Sequence, residues 1–327
     1  MWKKMVVSLS ISFLGINFCF AQDKNSGTFP QHIIKLIVPF TPGGPADNLA
    51  RPLVEMLNKR YGYQIIVENK PGANTAIAAQ YVARSNPDGY TLLFASDAGM
   101  SLAPATQKNI PYDPAKDFVA VSMVAQLTQV LFVNANLPVK NVKELADLAR
   151  KSPNSLSYAT YGMGSQSHVS TEAMDRLLNI EMVHIPYIGA STAFPDLISG
   201  NTQVMMSAIS GPLPYIRANK LKALAMVGPE RHKSLPEVPT ISEAGLPGFE
   251  SRGWFGVVAP AKTPPEIVKL LSEKIWEISQ TEDFISQVID RQGFDVAKVK
   301  PSEFPEFLKQ DRIKWKTLVD QMGNALN

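Results

Sequence analysis

IIKLIVPFTPGGPADNLAR, residues 33–51, is the stretch that decides the fold. Ile33–Val38 is a largely apolar, β-branched run, which is typical of a buried strand. Residues 39–45 hold three prolines and two glycines and predict a tight turn. Asp47 is predicted to be the N-cap of the following helix. A strand, a glycine turn and a helix start bring backbone N–H groups and a positive helix end to one point, which favours a bound anion.

The N-terminus predicts export. Lys3 and Lys4 precede the apolar stretch Met5–Phe18, and Cys19-Phe20-Ala21 has small residues at the two positions that specify cleavage. The apolar stretch is short for a membrane span, and no second one follows. We therefore interpret residues 1–21 as a signal peptide cleaved after Ala21.

The mature chain is expected to lack cysteine, because Cys19 is the only one and leaves with the signal. This argues against a disulfide, a thiolate nucleophile or a cysteine-ligated metal. The formal charge of +3 falls to about +1 without Lys3 and Lys4, so no polyanion-binding stripe is expected. Roughly 305 residues remain, which suits two lobes better than one core.

Predicted strands and helices alternate along the chain, with short connections, which favours a parallel α/β architecture. The predicted strands include Val130–Val133, Ser157–Thr160, Val204–Ala208 and Gly256–Val258, and the predicted helices include Val142–Lys151. Pro52 interrupts the first helix. It predicts either a kink in the first turn or a helix that begins only at Pro52.

Four polar turns each follow a predicted strand: residues 39–47, 96–99, 161–168 and 187–192. In open parallel sheets the ligand crevice lies outside the carboxyl ends of the strands. Turns of this kind from two facing lobes would enclose a small anion. Each turn taken alone also fits ordinary turn chemistry.

Motifs along nearly the whole mature chain resemble one family, the periplasmic solute receptors of tripartite tricarboxylate transporters, called Bug receptors. The matching stretches are IVPFTPGGPADNLAR (37–51), VENKPGA (67–73), NPDGYTLL (86–93), PYDPAKDF (111–118), YATYGMGSQSHVSTE (158–172), HIPYIGASTAFPDLISG (184–200), LKALAM (221–226), LPEVPTISEAGLPGFE (235–250) and WFGVVAPAKTP (254–264).

The resemblance implies an α/β, two-lobed type II periplasmic binding protein. Each lobe would be an open, mostly parallel sheet flanked by helices, with the ligand cleft between the lobes. Lobe one is predicted as residues 22–122 and 253–327, and lobe two as the insert 123–252. Val119–Phe132 and Phe249–Val258 would carry the two crossings.

The predicted ligand-binding residues lie in the four turns. They are Phe40, Thr41, Gly43, Gly44, Asp47, Ser96, Asp97, Gly164, Ser165, Tyr187, Gly189, Ala190 and Ser191. The resemblance implies those of the PFTPGG, GMGS and YIGAST turns. We expect the ligand carboxylate among the backbone N–H groups of Thr41–Gly44 and Gly164–Ser165.

Two aspartates have open roles. Asp47 either caps its helix or orders the first turn by bonding its backbone. Asp97, in a stretch that departs from the family pattern, is either a solvated turn residue or a fixed charge at the pocket lip that pairs with a cationic group of the ligand. In the second case it would disfavour a second ligand carboxylate. Tyr187, His184 and Trp254 either line the cleft or belong to the core or hinge.

The resemblance implies a periplasmic solute-binding protein with no catalysis, no cofactor and no metal. The solute would be a di- or tricarboxylate, an amino acid, or an aromatic or pyridine carboxylate. Inner-membrane transporter subunits would be partners. We expect a monomer that binds no nucleic acid.

The sequence fits two enzyme classes poorly. A serine hydrolase would use Ser165 and His168, but GMGSQS lacks the G-x-S-x-G elbow and no carboxylate orients the histidine. A dinucleotide-dependent oxidoreductase would need G-x-G-x-x-G, whereas the first turn has only Gly43-Gly44, with Glu68 ending the second strand.

Overall fold

The computed structural model describes residues 29–322, which form an α/β structure. Its strands are β1 (Ile34–Val38), β2 (Ile65–Asn69), β3 (Thr91–Ser96), β4 (Phe118–Asn134), β5 (Ser157–Thr160), β6 (Val183–Pro186), β7 (Val204–Ala208), β8 (Leu221–Met226), β9 (Arg252–Pro260) and β10 (Asp295–Val296). None of the helices in this part of the chain is long and apolar enough to cross a membrane.

The helices lie between and beside these strands. They are α1 (Pro45–Tyr61), α2 (Ala76–Ala83), α3 (Ala103–Thr106), α4 (Val142–Lys151), α5 (Gln166–Leu178), α6 (Ala190–Ser199), α7 (Leu213–Arg217), α8 (Pro265–Ser279), α9 (Glu282–Phe284), α10 (Asp290–Gln292) and α11 (Phe304–Met322). Three short helical segments complete the set: Ala73–Thr75, Ala98–Leu102 and Ile285–Ile289.

Two sheets share strand β4. The first has the order β2-β1-β3-β9-β4-β10, and the second has the order β8-β4-β7-β5-β6. Residues 118–128 of β4 pair with β9, and residues 129–134 pair with β7 and β8. We call the layers built on these sheets the first and second lobes. The residue limits predicted for the lobes stay a prediction.

The strand directions make the two sheets face each other. β1, β2 and β3 are parallel, and β9 runs antiparallel to both β3 and β4. β3 therefore runs in the direction of β4, toward the second sheet. β7 is antiparallel to β4, and β5 and β6 run with β7 toward the first sheet. The carboxyl ends of β1, β3, β5 and β6 consequently lie on opposite sides of one gap.

Each sheet has its own hydrophobic core, which holds its turns in place. In the first lobe Leu49 of α1 packs with Phe94 and Phe255, and in the second Tyr158 packs with Met206. Burying a large apolar side chain contributes about 1.5–3 kcal/mol.

Helix α1 differs from the prediction in two ways. Its N-cap is Gly44, with Pro45 in the first turn, so the assignment of Asp47 as N-cap is wrong. The helix also continues through Pro52 to Tyr61, so it does not begin at Pro52. The missing Pro52 N–H leaves the Asn48 carbonyl without its helical partner, and the packing of Leu49 and Leu53 outweighs this loss.

Other differences concern length and segment type. Val130–Val133 and Gly256–Val258 were predicted as short strands but belong to β4 and β9. Polar residues such as Gln126 and Thr128 lie in the middle of β4. They interrupt the hydrophobic pattern, so the pattern does not show that β4 is one continuous strand. Residues 98–106 are helical, where no helix was predicted.

Candidate binding site between the lobes

The four predicted turns follow β1, β3, β5 and β6 and face the gap between the sheets. In the second lobe, a Cβ on Gly162 would lie 3.8 Å from the Tyr187 carbonyl, so these two turns are neighbours. Across the gap, a Cβ on Gly164 would lie 3.3 Å from the Thr106 Cβ of the first lobe. The fold thus places the third turn beside the fourth and against α3 of the first lobe. Thr106 was not predicted as a site residue, because no helix or strand was predicted for its segment.

The first turn is held by Asp47. Its carboxylate accepts hydrogen bonds from the Gly43 N–H (2.9 Å), the Arg51 Nε (2.8 Å) and the Asn69 Nδ2 (2.9 Å). Burial alone would raise the pKa of Asp47, but these hydrogen bonds and the Arg51 charge outweigh it and hold the pKa below its usual value. Asp47 therefore orders the turn, which is the second of its two predicted roles, and Gly43 carries the left-handed φ of 79°.

Replacing Asp47 with alanine is expected to lower the free energy of unfolding by about 2–3 kcal/mol, because three donors lose a buried charged acceptor. Arg51→Ala removes only a half-exposed ion-pair partner and should cost less than about 1 kcal/mol. Urea unfolding of both variants measures this. Equal losses would show that the ion pair, and not the Gly43 bond, matters.

The third turn has two glycines with positive φ, Gly162 (124°) and Gly164 (67°). Ser165 is the N-cap of α5, and its hydroxyl accepts from the His168 N–H and donates to the Gly162 carbonyl (2.6 Å). The Gly164 N–H donates to the His168 Nδ1 at 3.1 Å. The turn is therefore closed by its own helix.

These contacts revise the predicted position of the carboxylate. The N–H groups of Gly43 and Gly164 donate to side chains, that of Gly44 to the Thr41 carbonyl, and that of Ser165 to the Gly162 carbonyl. The predicted donors Gly43, Gly44, Gly164 and Ser165 thus already have acceptors within their own turns.

The fourth turn keeps donors free for a ligand. Gly189 precedes α6 and provides no side-chain cap for the N–H groups of Ala190 and Ser191. A Cβ on Gly189 would meet nothing within 4 Å, so the approach is open. Tyr187 donates its hydroxyl to Asp196 (2.7 Å) and packs on the second core. The Tyr187 hydroxyl thus bonds to α6, which favours a structural role for Tyr187 over a role in lining the cleft.

Ser96 and Asp97 lie beneath the gap and are both buried. Asp97 is 7% exposed, so it is neither a solvated turn residue nor a residue of the lip. Burial raises the pKa of Asp97 to about 7, and the nearby Asp311 adds to this, against N–H donors that include Ala98 and Trp254. Asp97 is therefore only partly ionised at neutral pH, so its charge there depends on the pH.

A ring of four buried or half-buried polar side chains forms the floor of the gap. Gln129 donates to the Tyr161 hydroxyl (3.2 Å), which lies 3.5 Å from the Gln166 Oε1. Gln166 donates to the Ser251 hydroxyl, which donates back to the Gln129 Oε1, both at 3.3 Å. The ring joins β4, the third turn and the start of β9. The polar run within β4 was the signal that could have revealed it.

Gly253 lies where this floor meets Asp97. A Cβ there would be 3.2 Å from the Gln166 Oε1 and 3.5 Å from an Asp97 oxygen. A Cβ at position 253 would therefore require the Gln166 amide to shift slightly, whereas it would make an ordinary van der Waals contact with Asp97.

The arrangement of Ser165 and His168 does not fit a hydrolase. The Ser165 hydroxyl donates to a carbonyl, and the His168 Nδ1 accepts from a backbone N–H, so the imidazole does not activate the serine. In residues 29–322 no group of three or more His, Cys, Asp or Glu could hold a metal ion.

Comparisons with known proteins agree with this geometry. The model of the tripartite tricarboxylate transporter family receptor matches residues 49–324. BugT of Bordetella pertussis is 32% identical over 326 residues, covering 98% of this chain and 97% of its own.

Two solved structures show the same fold. Rpa4515 of R. palustris with adipate has a TM-score of 0.80 at 30% identity, over 90% of this chain and 99% of that one. MatC (Rpa3494) of Rhodopseudomonas palustris with bound malate has a TM-score of 0.76 at 31% identity, over 89% and 100%. The predicted two-lobed binding-protein fold is thereby confirmed. The chain belongs to the tripartite tricarboxylate transporter receptor family, and it is a solute-binding receptor and not an enzyme.

Proposed function

We propose that this protein captures a small carboxylated solute between its two lobes in the periplasm and presents it to the membrane subunits of a tripartite transporter. The observation that carries the proposal is the meeting of turns from two opposed sheets, with Thr106 against Gly164 across the gap. Relatives of the same fold hold adipate and malate, both small carboxylates.

The solute carboxylate is proposed to bind at the N-terminus of α6. The N–H groups of Ala190 and Ser191 have no side-chain cap, and the positive end of the helix dipole adds to them. Thr41 is exposed on the first turn, which follows β1 at the edge of the other lobe. Closure of the two lobes would then surround the anion with donors from both sides.

The solute is proposed to carry an apolar carbon skeleton beside its carboxylate. Met163 and Ile188 are exposed apolar side chains at the tips of the two neighbouring turns of the second lobe, and Ile188 is fully exposed. Phe40 of the first turn is half-buried against Phe255. An aliphatic or aromatic body between these side chains would remove apolar surface from water.

Asp97 is proposed to decide between one and two carboxylates. Its pKa of about 7 means that its negative charge grows as the pH rises through neutrality. A second ligand carboxylate near it would then be repelled more strongly at pH 8 than at pH 6. Asp97→Asn should remove this pH dependence of the affinity ratio between succinate and nicotinate.

The remaining parts of the proposal concern the whole chain. The proposed cleavage after Ala21 lies outside the described residues. N-terminal sequencing of the exported protein tests it. The monomeric state and the inner-membrane partners are likewise proposals, tested by sedimentation and by transport in a strain that lacks the protein.

Proline at position 190 tests the site directly. Proline is tolerated in the first turn of a helix and removes one N–H donor, and the extended Gly189 suits a residue before proline. Ala190→Pro should keep the melting temperature and weaken carboxylate binding at least about tenfold, as expected for one charged hydrogen bond. Ala190→Ser, which keeps the N–H, should bind like the wild type.

The readout is a thermal-shift screen of wild type and both variants against adipate, malate, succinate, glutamate and nicotinate. A ligand at 100 times its dissociation constant adds about 2.7 kcal/mol of stability. If no carboxylate stabilises the wild type, the proposed function is wrong. If Ala190→Pro binds as tightly as the wild type, the carboxylate lies elsewhere in the gap.

A further inference from the structure

Two histidines lie stacked beneath the third turn. The rings of His168 and His184 are 4.0 Å apart between centroids and 9° from parallel, and Tyr158 continues the stack at 5.0 Å from His184. His168 is only 1% exposed. Packing alone does not require imidazoles at these two positions, because apolar rings would fill the same space.

Each imidazole holds one end of the Gly162–Gly164 segment. The His168 Nδ1 accepts the Gly164 N–H at 3.1 Å, which requires a neutral ring with its proton on Nε2. The His184 Nε2 lies 2.7 Å from the Thr160 Oγ1, which in turn accepts the Gly162 N–H at 3.3 Å. Because both glycines have positive φ, these bonds fix a conformation that the backbone would otherwise share with many others.

We propose that His168 and His184 are positioning residues for the solute: as neutral imidazoles they hold the Gly162–Ser165 turn in the shape that receives it, and protonation of His168 in acid releases the turn. The inference rests on the proposed function, because it assumes that the solute meets this turn. The sequences of the four turns do not reveal this pH-dependent step in binding.

The chemistry of protonation supports the step. A proton on Nδ1 of His168 would point at the Gly164 N–H, so that two donors face each other and the bond is lost. A second proton on His184 would stack two cations. Burial lowers the pKa of both rings to about 4, and for His184 the neighbouring His168 adds to this while Glu172 opposes it.

The charged and titratable groups around the pair are few. Tyr158 of β5 donates its hydroxyl to Glu172 of α5 and thereby occupies that carboxylate. Asp175, one helical turn further along α5, acts on Tyr158. The neutral form of the pair is therefore favoured at pH 7, and solute release is expected only as the pH falls from about 5 toward 4.

The test compares His168→Asn with His168→Leu. The asparagine oxygen takes the place of Nδ1 as acceptor but does not titrate in this range, whereas leucine provides no acceptor. Calorimetric affinity for the best carboxylate of the screen should stay within about threefold of wild type for His168→Asn at pH 7 and fall about tenfold or more for His168→Leu.

The pH profile separates positioning from mere stability. Between pH 7 and pH 4 both proteins should lose the affinity that protonation of the solute itself removes. The wild type should lose more affinity than this, and His168→Asn should not. His184→Phe keeps the stack but not the Thr160 bond, so it should bind more weakly than wild type at pH 7 and still show the acid step of His168. Affinity equal to that of the wild type at pH 7 would overturn the role of His184. The same profile in wild type and His168→Asn would overturn the proposal.

Nitrogen-15 NMR of the wild-type histidines decides the case even where a variant does not fold. The His168 signal should show a neutral ring with the proton on Nε2 down to about pH 5, and a proton on Nδ1 at neutral pH would overturn the proposal. If the wild type binds no carboxylate, the proposed function fails, and the tautomer still shows whether His168 holds the turn.

Discussion

Gly256→Val is expected to prevent folding or to cost more than about 3 kcal/mol of stability. Gly256 lies in the middle of β9 and pairs with Ala95 on one side and Met123 on the other. A Cβ there would lie 2.8 Å from the Ser122 carbonyl oxygen and 2.8 Å from a Phe304 ring carbon. Neither the backbone of β4 nor the buried Phe304 ring can move away without disrupting the pairing of β4 with β9.

The measurement is urea unfolding followed by circular dichroism, with soluble yield as the readout for a variant that does not fold. Gly256→Ala should be intermediate, because it adds the Cβ without the branches. Gly189→Ala is the matched control for stability, since its Cβ would meet nothing within 4 Å, and it should stay within about 0.5 kcal/mol of wild type. An unchanged midpoint for Gly256→Ala would contradict the packing argument.

Asp97→Asn is expected to stabilise the protein at alkaline pH. The carboxyl has an ordinary value of 3.8 when unfolded and a pKa of about 7 when folded, so the folded state binds the proton more tightly. Stability is lost as the pH rises from about 4 through 7, because ionisation then favours the unfolded chain. Asparagine does not titrate, so its advantage should grow from near zero at pH 4 to as much as about 4 kcal/mol above pH 7.

Urea midpoints of both proteins at pH 4.5 and pH 8 check this. Asp113→Asn provides the opposite sign, because Lys116 and the Ala115 N–H hold the pKa of the exposed Asp113 below its usual value. That variant should lose stability relative to wild type as the pH rises through the acidic range. A difference between Asp97→Asn and wild type that is the same at both pH values would show that Asp97 is not protonated in the fold.

The elements that sequence predicted best have a local cause. Ser157–Thr160, Val204–Ala208 and Val142–Lys151 were predicted with the bounds that the structure has, because short apolar runs between turn residues and an asparagine N-cap mark them. β4 was predicted too short, since its polar residues are satisfied only by partners far along the chain. The helical segment 98–106 was missed for a similar reason, because its small residues gain stability from α11.

The sequence by itself determined the family, the alternation of strands and helices, and the four turns, because each of these depends on residues close together in the chain. Only the tertiary structure decided which polar groups remain available to a solute. Asp47 and His168 take the N–H groups of Gly43 and Gly164, and burial beside Asp311 raises the pKa of Asp97 to about 7, so that it is not the fixed surface charge that the sequence allowed. Hydrogen-bond partners and desolvation depend on distances between residues that the chain order leaves far apart, and those distances exist only in the folded molecule.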